Sequence, residues 1–260
     1  MIRFHRRFDP QSIRLLIFDL DGTLIDSRLD LIHSVNAMLR HFGKPELDGD
    51  AIASYVGDGA PTLVRRALAA DGVEDSEEFF RSALEYFLGY YRMHKLDHTT
   101  VYEGIPETLA ALANGLRSAD SCSAVVRASQ CGDAGVPNPT VATGKSPTRL
   151  MAVLSNKPVR PSQDIVQSLG MGDYFVRIYG GNSFPTKKPD PLGAETILGE
   201  TGVSATEALM IGDSSIDVLT GRSAGMWTCG VTYGFAPLSL QKVAPDVLVE
   251  SPRELRDLFC

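Results

Sequence analysis

Asp19 and Asp21 stand two residues apart at the end of the apolar run Leu15-Leu16-Ile17-Phe18, and Gly22-Thr23-Leu24 follows at once. A short apolar run that stops in carboxylates reads as a buried strand delivering charge to the end of a sheet. If the strand persists through Asp21, the two side chains project from one face. Like charges then repel, and each favours either protonation or a matching cation. A divalent cation with oxygen ligands, Mg2+ first among them, resolves that conflict and also gathers phosphate oxygens. Gly22 lets the backbone turn tightly beside the pair. The same stretch is also an ordinary carboxylate-rich turn, so the chemistry has to be carried by residues elsewhere.

Three further stretches supply them: Ser155-Asn156-Lys157-Pro158 after a short strand at 151–154, Lys187-Lys188-Pro189-Asp190-Pro191 at the opening of a helix, and Gly212-Asp213 with Asp217 one helical turn later. Each alone has a structural reading: Ser155 as a helix cap, Lys188 as a solvated charge, Asp213 as a turn residue. Converging at one edge of one sheet, they suit phosphoryl transfer. Asp19 is then the nucleophile that forms an aspartyl-phosphate, and Asp21 the general acid that afterwards activates water. Ser155 holds a phosphate oxygen, with Thr23 and Asn156 as further phosphate-binding candidates, and Lys188 neutralises charge on nucleophile and phosphate. Asp19, Asp21 and Asp213 are the metal candidates, and Asp217 supports the metal shell through hydrogen bonds. Loss of Lys188 is expected to slow the chemical step more than it weakens folding.

The elements that must position these residues follow from the periodicity. Residues 26–97 read as helical, which is long for a crossover and suits an inserted helical unit. Ser27 is placed to cap a first helix through Leu31, Val35, Met38 and Leu39; the turn 56–61 opens a second with Leu63, Val64, Ala67 and Leu68; a third, from about 76 to 95, carries Phe79, Phe80, Leu84, Phe87 and Leu88. From 98 onward strands alternate with helices, the pattern of a doubly wound parallel sheet with its site beyond the carboxyl ends of the strands. The chain thus divides into an α/β core, 1–25 and 98–260, and a helical unit, 26–97. Residues 118–149, rich in Ser, Ala, Gly, Pro and Thr, form an atypical insertion in the core, expected to be a disordered surface loop or else a docking loop. Its Gly144-Lys145-Ser146 is no P-loop, because Pro139 stands where the first glycine is needed.

Composition narrows the class. With 260 residues, 43% hydrophobic and 22% charged, the chain can bury a full core. A net charge of −7 argues against nucleic acid as a partner, and obliges a small anionic substrate to find local cations. The start is too short and poorly flanked for a signal peptide, and no later run suits a membrane span, so a cytoplasmic protein is expected. Cys122, Cys131, Cys229 and Cys260 show no CxxC pairing, which speaks against zinc or a disulfide framework.

Asp19-Leu20-Asp21-Gly22-Thr23, Ser155-Asn156-Lys157, Lys188-Pro189 and Gly212-Asp213-Ser214-Ser215-Ile216-Asp217 resemble, in order, the four motifs of the haloacid dehalogenase superfamily of phosphohydrolases. The resemblance implies a Rossmann-like core with an inserted α-helical cap, Asp19 as nucleophile, Asp21 supplying acid/base catalysis and a backbone carbonyl to Mg2+, and Asp213 completing the metal site. The dehalogenases themselves lack the second Asp, so Asp21 points to phosphate esters. Asp26-Ser27, Val35-Asn36, Val56-Gly57-Asp58-Gly59-Ala60, Pro185-Thr186-Lys187-Lys188-Pro189 and Gly230-Val231-Thr232-Tyr233-Gly234 are similar to the bacterial phosphoglycolate phosphatases. That similarity implies hydrolysis of 2-phosphoglycolate to glycolate and phosphate, with the cap selecting the leaving group. The amides of Gly57-Asp58-Gly59, assisted by Arg65 or Arg66, are candidates to meet its carboxylate. Two alternatives remain, a phosphosugar mutase of the beta-phosphoglucomutase kind and a non-catalytic binding protein of the same fold. The expected partner is a small phosphorylated metabolite, and the chain is a monomer or a homodimer.

Overall fold

The structure is a computed structural model that describes residues 1–72, 76–114 and 149–259. All but Arg149 of the expected insertion lies outside the described residues, as do Cys122, Cys131 and Cys260. The chain begins with β1 (Arg3–Phe4) and β2 (Leu15–Phe18), then passes through β3 (Ile25–Asp26) into four helices, α1 (Arg28–His41), α2 (Gly49–Ser54), α3 (Ala60–Leu68) and α4 (Glu77–His94). It returns through β4 (Thr100–Val101) to α5 (Ile105–Asn114), β5 (Leu150–Leu154), α6 (Val159–Ser168) and β6 (Arg177–Tyr179). There follow α7 (Leu192–Thr201), β7 (Ala208–Gly212), α8 (Ser215–Ser223), β8 (Trp227–Val231), β9 (Val247–Val249) and α9 (Pro252–Asp257).

All four residues of β2 are buried, and the reason lies in the layers around it. Leu15 and Ile17 join an apolar cluster with Ala194 and Ile197 of α7, whereas Leu16 and Phe18 join another with Ile105 and Leu109 of α5 and Leu255 of α9. Side chains alternate across a strand, so a sheet covered on both faces demands an unbroken apolar run. The strand order is β1-β9-β8-β7-β2-β5-β6, parallel throughout except for β1, which runs antiparallel to β9. The sheet grows from β2 in both directions, with β5 and β6 on one side and β7, β8 and β9 on the other. β2 is therefore the point at which strand order reverses, where sheets of this kind open a crevice beyond their carboxyl ends. Register brings three strand ends level there, with Phe18 opposite both Val153 and Ile211.

The helical unit has a core of its own, in which Val35 and Met38 of α1, Val64 and Leu68 of α3, and Phe80 and Phe87 of α4 pack together. These are positions on the faces that the helical spacing predicts. α2 is an addition that the spacing does not reveal. The expected cap of α1 differs: Ser27 occupies the N-cap position but makes no side-chain capping bond, and its hydroxyl donates to Asp21 Oδ1 at 2.5 Å. The charge-assisted bond to the carboxylate turns the Ser27 side chain toward Asp21 and away from the helix amides from which its oxygen would otherwise accept.

Entry to and exit from the unit run side by side as the antiparallel pair β3–β4. The buried carboxylate of Asp30 in α1 accepts from His98 N at 2.9 Å, Thr99 N at 2.9 Å and Thr99 Oγ1 at 2.7 Å, clamping the returning chain to the departing helix. Replacing Asp30 with Ala leaves these donors unmatched, and the urea unfolding midpoint is expected to drop by the equivalent of about 1–3 kcal/mol. An unchanged midpoint would show that the clamp contributes nothing.

Candidate active site

Asp19 is the first residue beyond β2, and its amide donates to Ile211 O of β7 at 2.8 Å, so its backbone still belongs to the sheet. The strand then stops. Amides of Thr23, Leu24 and Ile25 all turn back onto Leu20 O, and Gly22 N donates to Ile25 O. The expectation of two carboxylates side by side on one strand face gives way to two separate pairs. Lys188 Nζ lies 2.8 Å from Asp19 Oδ1, while Lys157 Nζ lies 2.8 and 2.9 Å from the two oxygens of Asp21. Repulsion is thus relieved by one lysine for each carboxylate. Burial works against both ammonium groups, yet the carboxylates outweigh it and hold each lysine above its ordinary range.

Beneath Asp19 the acidic residues gather. Oxygens of Asp19, Asp213 and Asp217 lie within 4.8 Å of one another, all three residues buried. Lys188 Nζ reaches Asp217 Oδ1 at 2.6 Å as well as Asp19. The other oxygen of Asp217 accepts from Ser214 N at 3.2 Å and Ser214 Oγ at 2.7 Å, a capping box that fixes the start of α8. Asp213 Oδ2 accepts from the amides of Phe235 at 2.5 Å and Ala236 at 3.1 Å. Two glycines make its seat: a Cβ on Gly22, at φ +81°, or on Gly234 would collide with the Asp213 side chain.

The one ammonium beside these three buried carboxylates pairs with only two of them, Asp19 and Asp217, and the deficit shows in Asp19 and Asp213. Burial pushes Asp19 up to about 6 although Lys188 pulls it down. Burial, then the charges of Asp217 and Asp19, push Asp213 up to about 8 against the two amides that favour its ionised form. Hard oxygen donors with uncompensated negative charge fit a cation such as Mg2+. The carboxylates left for it are those of Asp19 and Asp213, since Asp217 is taken up by Lys188 and Ser214. Lys188 is also a structural cation: its removal strands two buried carboxylates, a loss of about 3–5 kcal/mol for buried pairs in general. Folding is therefore touched as well as chemistry, more than the sequence suggests.

Above this layer lies a cavity of about 60 Å3, floored by Asp19, Asp21, Ser155, Asn156 and Lys157. The helical unit roofs it with Leu31, Leu63, Phe87, Leu88 and Tyr91 and with the glycines of the 57–59 turn. Asn156 Nδ2 donates to Gly57 O at 3.0 Å and to Lys188 O at 3.1 Å, and Lys187 Nζ donates to Asp58 O, so the turn is held by the core. Thr23, Lys188, Asp213 and Asp217 are buried outside the cavity lining. Arg65 pairs with Glu77 and covers Phe80, and Arg66 pairs with Asp58 and Tyr55 O; neither lines the cavity. The residues that sequence reasoning passes over are Ser27, Lys157 and Tyr91. Lys157 directly follows Ser155-Asn156, and Tyr91 continues the face of Phe87 by one turn, but nothing in either spacing discloses Asp21 as the focus of the first two.

Free Mg2+ at about 100 times its dissociation constant stabilises a protein by about 2.7 kcal/mol, so a melting midpoint raised by roughly 5 °C or more is expected for this chain. Asp213→Asn is expected to lose most of that rise. An equal rise in the variant would move the cation away from Asp213.

Among the described residues no helix is long and apolar enough to cross a membrane. The model of the haloacid dehalogenase-like hydrolases matches residues 16–119 and 145–231, breaking inside the 118–149 segment. A phosphoglycolate phosphatase of Chromobacterium violaceum is 34% identical over 96% of this chain and 97% of its own length. One from Vibrio vulnificus is 34% identical over 95% of this chain and 96% of its own. A crystal structure of a predicted phosphoglycolate phosphatase from Haemophilus somnus superposes with a TM-score of 0.79 at 26% identity, covering 96% of this chain and 99% of that one. The chain belongs to the haloacid dehalogenase-like hydrolases and, like the relatives it matches along nearly their whole length, is a phosphoric monoester hydrolase.

Proposed function

We propose that this chain is a Mg2+-dependent phosphatase of small phosphate monoesters, with 2-phosphoglycolate as its substrate and glycolate and phosphate as products, acting in the cytoplasm. The observation that carries it is the position of Asp19, buried at the reversal of strand order with Lys188 behind it and the cavity in front. Asp19 attacks phosphorus and forms an aspartyl-phosphate. Asp21, across the cavity floor, gives a proton to the leaving oxygen and then takes one from the water that attacks the intermediate. Ser155 orients a phosphate oxygen from the cavity floor with its hydroxyl, whereas both Nδ2 protons of Asn156 already go to Gly57 O and Lys188 O, so that side chain holds the 57–59 turn rather than the phosphate. Thr23, fully buried behind the turn, shapes the loop that carries Asp21. Lys188 offsets the charge that develops on nucleophile and phosphate, and Asp217 holds Lys188 in place. Asp19, Asp213 and the main-chain carbonyl of Asp21 would hold Mg2+, which when bound draws charge from the phosphate oxygens.

The lining of the cavity favours the smaller substrate: Leu31, Leu63, Phe87 and Leu88 give the hydroxyls of a sugar nothing to bond to, which suits a two-carbon leaving group better. The unit 26–97 acts as a cap that closes over the phosphate and excludes water, with 1–25 and 98–260 as the core beneath it.

Phosphate release from 2-phosphoglycolate and from hexose phosphates, with Mg2+ and with a chelator, tests the proposal. Mg2+-dependent release that favours 2-phosphoglycolate is expected. Isomerised sugar phosphate with little free phosphate would make the chain a mutase instead, and neither reaction with no Mg2+ affinity would leave a binding protein. Asp19→Asn is expected to lower turnover by at least about a thousandfold with the melting midpoint retained. Wild-type turnover in that variant would remove Asp19 as nucleophile.

A further inference from the structure

Two polar side chains in the cavity have no task in the chemistry above. The hydroxyl of Tyr91, on α4, is buried and has no hydrogen-bond partner. Lys157 is buried too, and its Nζ sits 4.7 Å from the centroid of the Tyr91 ring while it pairs with Asp21. An ammonium has three donors, so the Asp21 pair does not exhaust Lys157. Unmatched buried polar groups are rare because each is costly, and the Tyr91 hydroxyl beside an incompletely used ammonium points to a ligand that accepts from both.

The rest of the roof limits what that ligand is. Leu31, Val56, Leu63, Phe87 and Leu88 offer no hydrogen bonds from their side chains. A polyol would leave its hydroxyls unmatched against such a wall. A single anion on a short stem meets what is present, one cation and one hydroxyl donor.

We propose that Lys157 and Tyr91 form the receptor for a carboxylate on the leaving group, with Lys157 shared between that carboxylate and Asp21. The assignment deepens the phosphatase function proposed above and depends on it. It makes the two residues determinants of specificity, and it moves carboxylate recognition from the 57–59 amides and their expected helpers Arg65 and Arg66, which are engaged elsewhere in the helical unit, to the boundary between helical unit and core. Against the apolar side chains of the cavity roof the charge-assisted bonds gain strength from the low local dielectric.

The test compares kcat/KM for 2-phosphoglycolate with that for ethyl phosphate, in which a methyl group replaces the carboxylate. The ratio of the two removes any common effect on Asp21 or on folding. Wild type is expected to favour the carboxylate ester strongly. Tyr91→Phe, which keeps the ring, is expected to reduce the ratio about tenfold, and Lys157→Met by about a hundredfold or more, while Lys157→Arg recovers part of it. Ratios within about twofold of wild type in both Tyr91→Phe and Lys157→Met would overturn the assignment and leave the phosphatase standing. A wild-type ratio near one would remove 2-phosphoglycolate as substrate and this receptor with it. Should Lys157→Met fail to fold, Tyr91→Phe decides.

Discussion

The constraint on which the site depends is the burial of more negative charge than its lysines can match. Oxygens of Asp19, Asp213 and Asp217 crowd within 4.8 Å of one another, all three buried, with a single ammonium that pairs with Asp19 and Asp217. Isolated buried carboxylates are so unfavourable that they protonate or find cations. Much of the surrounding architecture meets that demand. The capping box of α8 supplies two donors to Asp217, and the 235–236 amides supply two to Asp213. Glycines at 22 and 234 give the Asp213 side chain room to stand against the β2 turn. The remaining excess of negative charge is what a divalent cation is suited to balance.

Separating the two carboxylates of the first motif is the second device. Because β2 ends at Phe18 and the chain turns about Leu20 O, Asp19 faces down toward Lys188 and the acidic group while Asp21 faces Lys157 and Ser27. Two groups that would compete for one proton if adjacent are instead set in different electrostatic surroundings. Divergent surroundings are what two carboxylates of the same chemical type need in order to serve different steps, as the proposed function requires of them.

The helical unit completes the site from above. Its core is independent of the sheet's, yet the 57–59 turn is bound to Asn156 and Lys187, and Tyr91 descends from α4 to the level of Lys157. The cavity is therefore made by two packing units, and its shape depends on how they meet. The Asp30 clamp and the β3–β4 pair set the start and finish of that unit close together.

Much of this was legible from residues alone. The apolar run before Asp19 fixed a doubly covered central strand, and the helical spacing of Val35, Met38, Val64, Leu68 and Phe87 marked a second core, because burial imposes periods that survive in sequence. The order of Asp19, Ser155, Lys188 and Asp213 announced one site, since the ends of parallel strands share an edge. What tertiary structure alone decided was who pairs with whom. Ser27 left its helix for Asp21, Arg65 and Arg66 turned to partners within the helical unit, and Lys157 and Tyr91 entered the cavity. A side chain of several rotatable bonds reaches any of several partners, and the choice depends on distances across elements far apart in the chain, which local spacing does not encode.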